Sequence, residues 1–151
     1  MPPFIHSALL ALATLATSLA TLAAETPVDL ETRIVELSDT VKVGDRVGRL
    51  RFLGMLALPD ITRNGVRLSQ LSGLAWDDDD GILYAISDKG GLFHLQPIFK
   101  GDILTGLRLL RAVPLRELGS NIPLKLKRAD SEGLDILNGR NHRKGDAELA
   151  I

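Results

Sequence analysis

Leu71-Ser72-Gly73-Leu74-Ala75-Trp76-Asp77-Asp78-Asp79-Asp80-Gly81-Ile82-Leu83-Tyr84-Ala85-Ile86-Ser87-Asp88 is the stretch that decides the fold. Leu71 to Trp76 is short and apolar, Asp77 to Gly81 is a tight Asp/Gly loop, and Ile82 to Ile86 is apolar at every position. Two short apolar runs joined by such a loop predict a β-hairpin. A strand with apolar side chains on both faces must be covered above and below. Trp76, at the end of the first run, is expected in the core.

The pattern continues downstream. Lys89-Gly90-Gly91 turns the chain, Leu92-Phe93-His94-Leu95 reads as a third strand closed by Pro97, and Lys100-Gly101-Asp102 turns it again. Leu107 to Val113 reads as a fourth strand, although Leu107, Leu110, Arg111 and Leu118 also fit helical spacing. Four antiparallel strands with short connections make one meander sheet, the blade of a β-propeller. A second blade should begin with a similar strand. Ser72-Gly73-Leu74-Ala75-Trp76 has a counterpart in Glu132-Gly133-Leu134-Asp135-Ile136, and Gly81 to Ile86 has one in Asp146 to Ile151. The offset, about sixty residues, exceeds the usual blade repeat of roughly 40–50. The extra length falls in the loop from Arg116 to Ala129.

Upstream, Arg49 to Leu58 has a strand pattern ended by Pro59, and Asn64-Gly65 is a turn dipeptide. Glu25 to Asp45 is polar and mixed, broken at Pro27 and Gly44, and is expected to hold one short strand. Met1 to Ala24 contains no Asp, Glu, Lys or Arg, and Ala8 to Ala23 is an apolar run of Ala and Leu with interspersed Thr and Ser. That run has the length of a signal-peptide core and is short for a membrane span. Thr21-Leu22-Ala23 places small residues where a signal peptidase reads, so cleavage is expected after Ala23 or Ala24. The region before the run departs from the usual pattern in having no Lys or Arg, which leaves an uncleaved anchor as the alternative. The expected organisation is a signal helix over 1–24, a lead-in over 25–48 and an all-β, partial propeller domain over 49–151, exported to the periplasm or medium. No stable membrane span is expected after cleavage.

Composition narrows the function. The chain has 151 residues, 45% hydrophobic and 25% charged, which is an ordinary globular balance. Its 18 basic and 19 acidic residues give a net charge of -1, which excludes the electrostatic footprint of a nucleic-acid binder. The absence of cysteine excludes disulfides, thiolate zinc sites and cysteine nucleophiles.

Leu71-Ser72-Gly73-Leu74-Ala75, Gly81-Ile82-Leu83-Tyr84-Ala85-Ile86-Ser87-Asp88 and Asp130-Ser131-Glu132-Gly133-Leu134, in that order and spacing, resemble the phytase-like, "esterase-like activity of phytase" family of exported bacterial β-propellers. The resemblance covers roughly Arg49 to Ile151. It implies the first one to two blades of an incomplete propeller of about six blades, within the usual four to eight. It also implies that the chain is an N-terminal fragment, expected to be poorly stable alone, because blades need neighbours to cover their faces. The activity implied is that of a metal-dependent phosphoesterase or esterase acting on a small-molecule ester. The alternatives are a non-catalytic exported propeller that binds a ligand or protein, and an inactive fragment.

The candidate site residues are Asp88, Asp130 and Glu132. They sit at strand ends, where a propeller gathers loops from successive blades. Converging carboxylates suit a hard cation such as calcium, which would counter phosphate charge. The plainer reading is that Asp88 caps the step into Lys89-Gly90 and that Glu132 bonds backbone between blades. Asp77 to Asp80 reads as a solvated hairpin turn. It is no EF-hand loop, since with Gly81 in the glycine place Trp76 and Ser87 would fill the first and last ligand positions. Gln70 stands where a nucleophile elbow around Ser72 needs glycine. His94, between Phe93 and Leu95, reads as a strand-face residue, and His142 has no nearby nucleophile signal. Lys125, Lys127 and Arg128, and Arg140, Arg143 and Lys144, form two basic loops, either solvated or facing an anion.

Overall fold

The computed structural model describes residues 25–117, 119–124 and 131–151. The expected signal helix and Asp130 lie outside the described residues. Within them the chain before Leu71, the lead-in and the first part of the expected domain, makes only two-residue strands: β1 (Val28–Asp29), β2 (Arg33–Ile34), β3 (Arg46–Val47), β4 (Leu50–Arg51), β5 (Leu56–Ala57), β6 (Thr62–Arg63) and β7 (Val66–Arg67). The alternating and apolar runs make the longer β8 (Leu71–Asp77), β9 (Ile82–Ser87), β10 (Gly91–Lys100) and β11 (Ile103–Pro114), followed by β12 (Asp135–Leu137) and β13 (Glu148–Ala150). Among the described residues there is no helix.

Strands β8 to β11 form the four-stranded antiparallel meander, and β1 joins the outer edge of β11 to give the order β1-β11-β10-β9-β8. The lead-in therefore completes the blade, with Val28 opposite Leu109 and Asp29 opposite Arg108. The segment with helical spacing is strand β11, because its alternation places Leu107, Leu109 and Ala112 in the core. Strands β12 and β13 pair antiparallel, Ile136 opposite Leu149, in a separate two-stranded sheet.

Register fixes two faces. On one, Leu83, Ala85, Phe93, Leu95, Leu109 and Ala112 pack under Leu30 of the lead-in and Val66 and Leu68 of the segment before β8. Asn64-Gly65 makes the two-residue β6–β7 turn with both φ angles positive, 50° and 78°, and so delivers Val66 to that face. The other face carries Gly73, Ala75, Tyr84, Ile86 and His94. There the backbone of Gly133 and Leu134 comes close to Gly73, itself beside Ile86. Ile86 and Phe93 are fully buried on opposite faces, each worth roughly 1.5–3 kcal/mol of apolar burial.

Three expectations are corrected. Arg49 to Leu58 is not one strand but β4 and β5, which pair with β3 and β2. Between them Gly54 has a φ of 140° and lies so close to β11 that a Cβ there would sit 3.0 Å from the Leu104 carbonyl oxygen. The Leu53 carbonyl instead accepts the Leu104 N–H at 2.9 Å. Pro97 does not close its strand: β10 runs through it to Lys100. Beyond Leu95, β10 has β11 but no longer β9 as neighbour, so a residue without an N–H sits on an open edge. Trp76 is not core. It is 44% exposed, and its indole N–H donates to Asp78 Oδ1 at 3.2 Å.

Candidate functional site at the strand ends

Asp88 follows β9 directly, at the end of the sheet where β8 begins. Its N–H donates to the Gln70 carbonyl at 3.2 Å, and the preceding Ser87 is fully buried with its hydroxyl donating to the Ser69 carbonyl at 2.7 Å. These bonds hold Asp88 half-buried. Its Oδ1 is buried, 3.7 Å from the Lys89 ammonium and without a hydrogen-bond partner among the described residues. A buried carboxylate oxygen left this way costs desolvation that a cation or donor would offset.

The second blade reaches this end of the sheet. The Ser72 hydroxyl donates to the Ser131 carbonyl, and a Cβ on Gly73 would lie 2.7 Å from the Leu134 nitrogen. Glu132, between these contacts, is exposed. The structure thus brings the start of β8, the end of β9 and the segment carrying Glu132 together. Asp130 lies outside the described residues. As a test of calcium, the Asp88 oxygen is a suitable hard donor. Among the described residues, however, no group of three or more His, Asp or Glu is placed to hold a metal ion.

The opposite end of β8 holds an arrangement the sequence reading missed. Asp77 to Asp80 is the expected turn, yet it is not simply solvated. Asp77 is 1% exposed, and its Oδ1 accepts the N–H groups of Asp79 and Asp80, both at 3.1 Å. Its Oδ2 is buried with no partner among the described residues. Asp79 accepts the Asn141 N–H at 2.7 Å and the His142 N–H at 3.1 Å, and Asp80 accepts the Gly145 N–H at 2.8 Å. The Asp78 N–H donates to the Gly139 carbonyl at 2.8 Å, and Arg140 lies 3.5 Å from the Asp78 carboxylate. Two signals pointed here: the sixty-residue offset, which aligns the β12–β13 turn with the β8–β9 turn, and the basic residues of the later turn opposite four aspartates.

The remaining candidates have structural partners. Ser72 spends its proton on a carbonyl and is no nucleophile. His94 lies on β10 with its ring edge-on to Tyr84, centroids 4.8 Å apart. Burial pushes its pKa down, helped by Arg111 and opposed by Glu25. Burial pushes the Tyr84 hydroxyl up, reinforced by the charges of Asp77 and Asp80. Arg143, Lys144 and His142 are exposed in the later turn, and Lys125, Lys127 and Arg128 lie outside the described residues. No helix among the described residues is long and apolar enough to cross a membrane.

A four-stranded antiparallel meander followed by a further two-stranded hairpin makes the described residues an all-β protein, consistent with the β-propeller family that the motifs resemble. Residues 66–142, about half of the chain, match the family model "Phytase-like: Esterase-like activity of phytase", and the chain belongs to that family. Comparison with curated proteins and with solved structures gives no match.

Proposed function

We propose that this chain is part of an exported phytase-like propeller that hydrolyses a small-molecule phosphate or carboxylate ester. Asp88, Asp130 and Glu132 are its acidic site residues. Export rests on the uncharged Met1 to Ala24 segment. The observation that carries the site is the buried Oδ1 of Asp88, 3.7 Å from the Lys89 ammonium and without a hydrogen-bond partner among the described residues, at the strand end approached by the Ser131–Glu132 segment. A hard cation such as calcium held by these carboxylates would counter substrate charge and polarise the ester oxygen. The protein's part is to hold Asp88 through the Gln70 and Ser69 carbonyls and to fix the approach of Glu132 through Ser72.

The test compares the wild-type chain with Asp88→Asn and Glu132→Gln. Calcium-dependent thermal stabilisation is measured alongside turnover of p-nitrophenyl phosphate and p-nitrophenyl butyrate. The reading expects calcium to raise the melting temperature of the wild type, one ester to turn over, and both variants to lose both effects while keeping the fold. Unchanged calcium response and turnover in Glu132→Gln would make that residue an inter-blade contact and refute the site.

A further inference from the structure

We infer that the four-aspartate turn is a receptor for the backbone of the following blade: the Asp79 and Asp80 carboxylates recognise the amide groups of turn 139–145 and so fix where the second blade sits on the first. The kind of partner it fits is a basic turn with consecutive N–H groups aimed one way. His142 has a φ of 65° and Gly145 one of 74°. A left-handed residue after an ordinary one turns successive amides to the same side, which makes an anion-binding nest. The Asp79 carboxylate fills that nest, receiving Asn141 and His142 together. Left-handed backbone at a non-glycine residue costs free energy, and the charge-assisted bonds to Asp79 offset it.

The contact is directional. Ser72 meets Ser131, Asp78 meets Gly139 and Asp79 meets Asn141, so partners stand 59 to 62 residues apart at both ends of β8. The incoming segment therefore runs alongside β8 in the same sense, stapled at each end. Within the incoming turn, Asp146 Oδ2 accepts the Asn141 amide at 2.9 Å and braces the nest from its own side. Asp77 braces the receptor by folding Asp79 and Asp80 around its Oδ1. Asp78 differs: its carboxylate meets an exposed guanidinium, a contact of little weight.

Amide hydrogen exchange and trypsin cleavage of the full chain test this. Arg140, Arg143 and Lys144 are exposed, so it is the held backbone that limits trypsin there. Asp79→Asn should speed exchange at Asn141 and His142 about tenfold, the scale of one charged hydrogen bond. Asp80→Asn should do so at Gly145, and both should hasten cleavage in the turn. Asp78→Asn should change neither. Unchanged rates at these amides in both variants would overturn the inference. So would equal acceleration through β9 and β10, since the turn would then serve only its own hairpin.

Discussion

Placing a methyl group at Gly73 tests the packing of one blade on the next. Its φ is not in the left-handed region, so alanine is conformationally allowed, and in a strand alanine should gain about 0.5–1 kcal/mol over glycine. Against this stands space. The new Cβ would lie 2.7 Å from the Leu134 nitrogen, 2.9 Å from the Gly133 carbonyl carbon and 3.0 Å from Ile86 Cγ2. Two of these are backbone atoms, which no rotamer change can move aside. The second blade must withdraw by several tenths of an ångström, which loosens the Ser72–Ser131 hydrogen bond. Overpacking of this kind costs about 1–3 kcal/mol, so Gly73→Ala should destabilise by about 1–2 kcal/mol net. Gly133→Ala is the control, because its Cβ would meet nothing within 4 Å and its φ is not left-handed. That change should be neutral or stabilise by up to about 1 kcal/mol. Urea denaturation followed by the fluorescence of Trp76, whose indole N–H donates to Asp78, measures both. Stabilisation by Gly73→Ala equal to that by Gly133→Ala would refute the close approach of the blades.

Asp77→Ala should destabilise by about 1.5–3 kcal/mol in the same titration, because a buried carboxylate that gathers two backbone N–H groups is lost; a change under about 0.5 kcal/mol would show those amides find other acceptors. His94 should make the fold acid-sensitive. Its pKa is lowered on folding, so below the ordinary value of about 6.5 the unfolded chain binds more protons and stability falls with pH until the folded group also titrates. Thermal melts from pH 7 to pH 5 should show a smaller loss in His94→Gln than in the wild type; equal slopes would assign the acid sensitivity to other groups.

The blade was legible because its signals were local. Tight Gly- and Asp-rich turns at Asp77 to Gly81, at Lys89 to Gly91 and at Lys100 to Asp102 separate runs that pair with their sequence neighbours. Hairpins need no long-range information beyond matched apolar faces. The lead-in was less legible for the converse reason. The strands before β8 are two residues long, and some take partners distant in sequence: β1 pairs with β11, and β5 with β2. Arg49 to Leu58 has a strand's composition, but its middle is claimed by the Leu104 amide. Pro97 was misjudged because a proline's cost depends on whether a neighbour strand needs its N–H, and that is set by where β9 ends.

The acidic residues show the same division between local and distant causes. Spacing alone ranks Asp77 to Asp80 as a turn and Asp88 as a cap, since an aspartate in a turn looks the same in sequence whether water, a cation or an amide occupies its oxygens. What separates the two sets is where their donors originate. Asp79 and Asp80 take theirs from residues more than sixty positions later, and once those amides are bound the carboxylates have little left to offer a cation. Asp88 lies at the opposite end of the sheet and receives no such donor among the described residues; its buried Oδ1 has the Lys89 ammonium at 3.7 Å, while Asp77 in the other set also keeps a buried oxygen without a hydrogen-bond partner. Asp79 and Asp80 are thus engaged by backbone amides of the later turn, whereas Asp88 is not. If Asp88→Asn stabilises the chain and calcium has no effect on either form, the buried Asp88 oxygen is only a cost that Lys89 does not offset, and the proposed site at that end of the sheet is refuted.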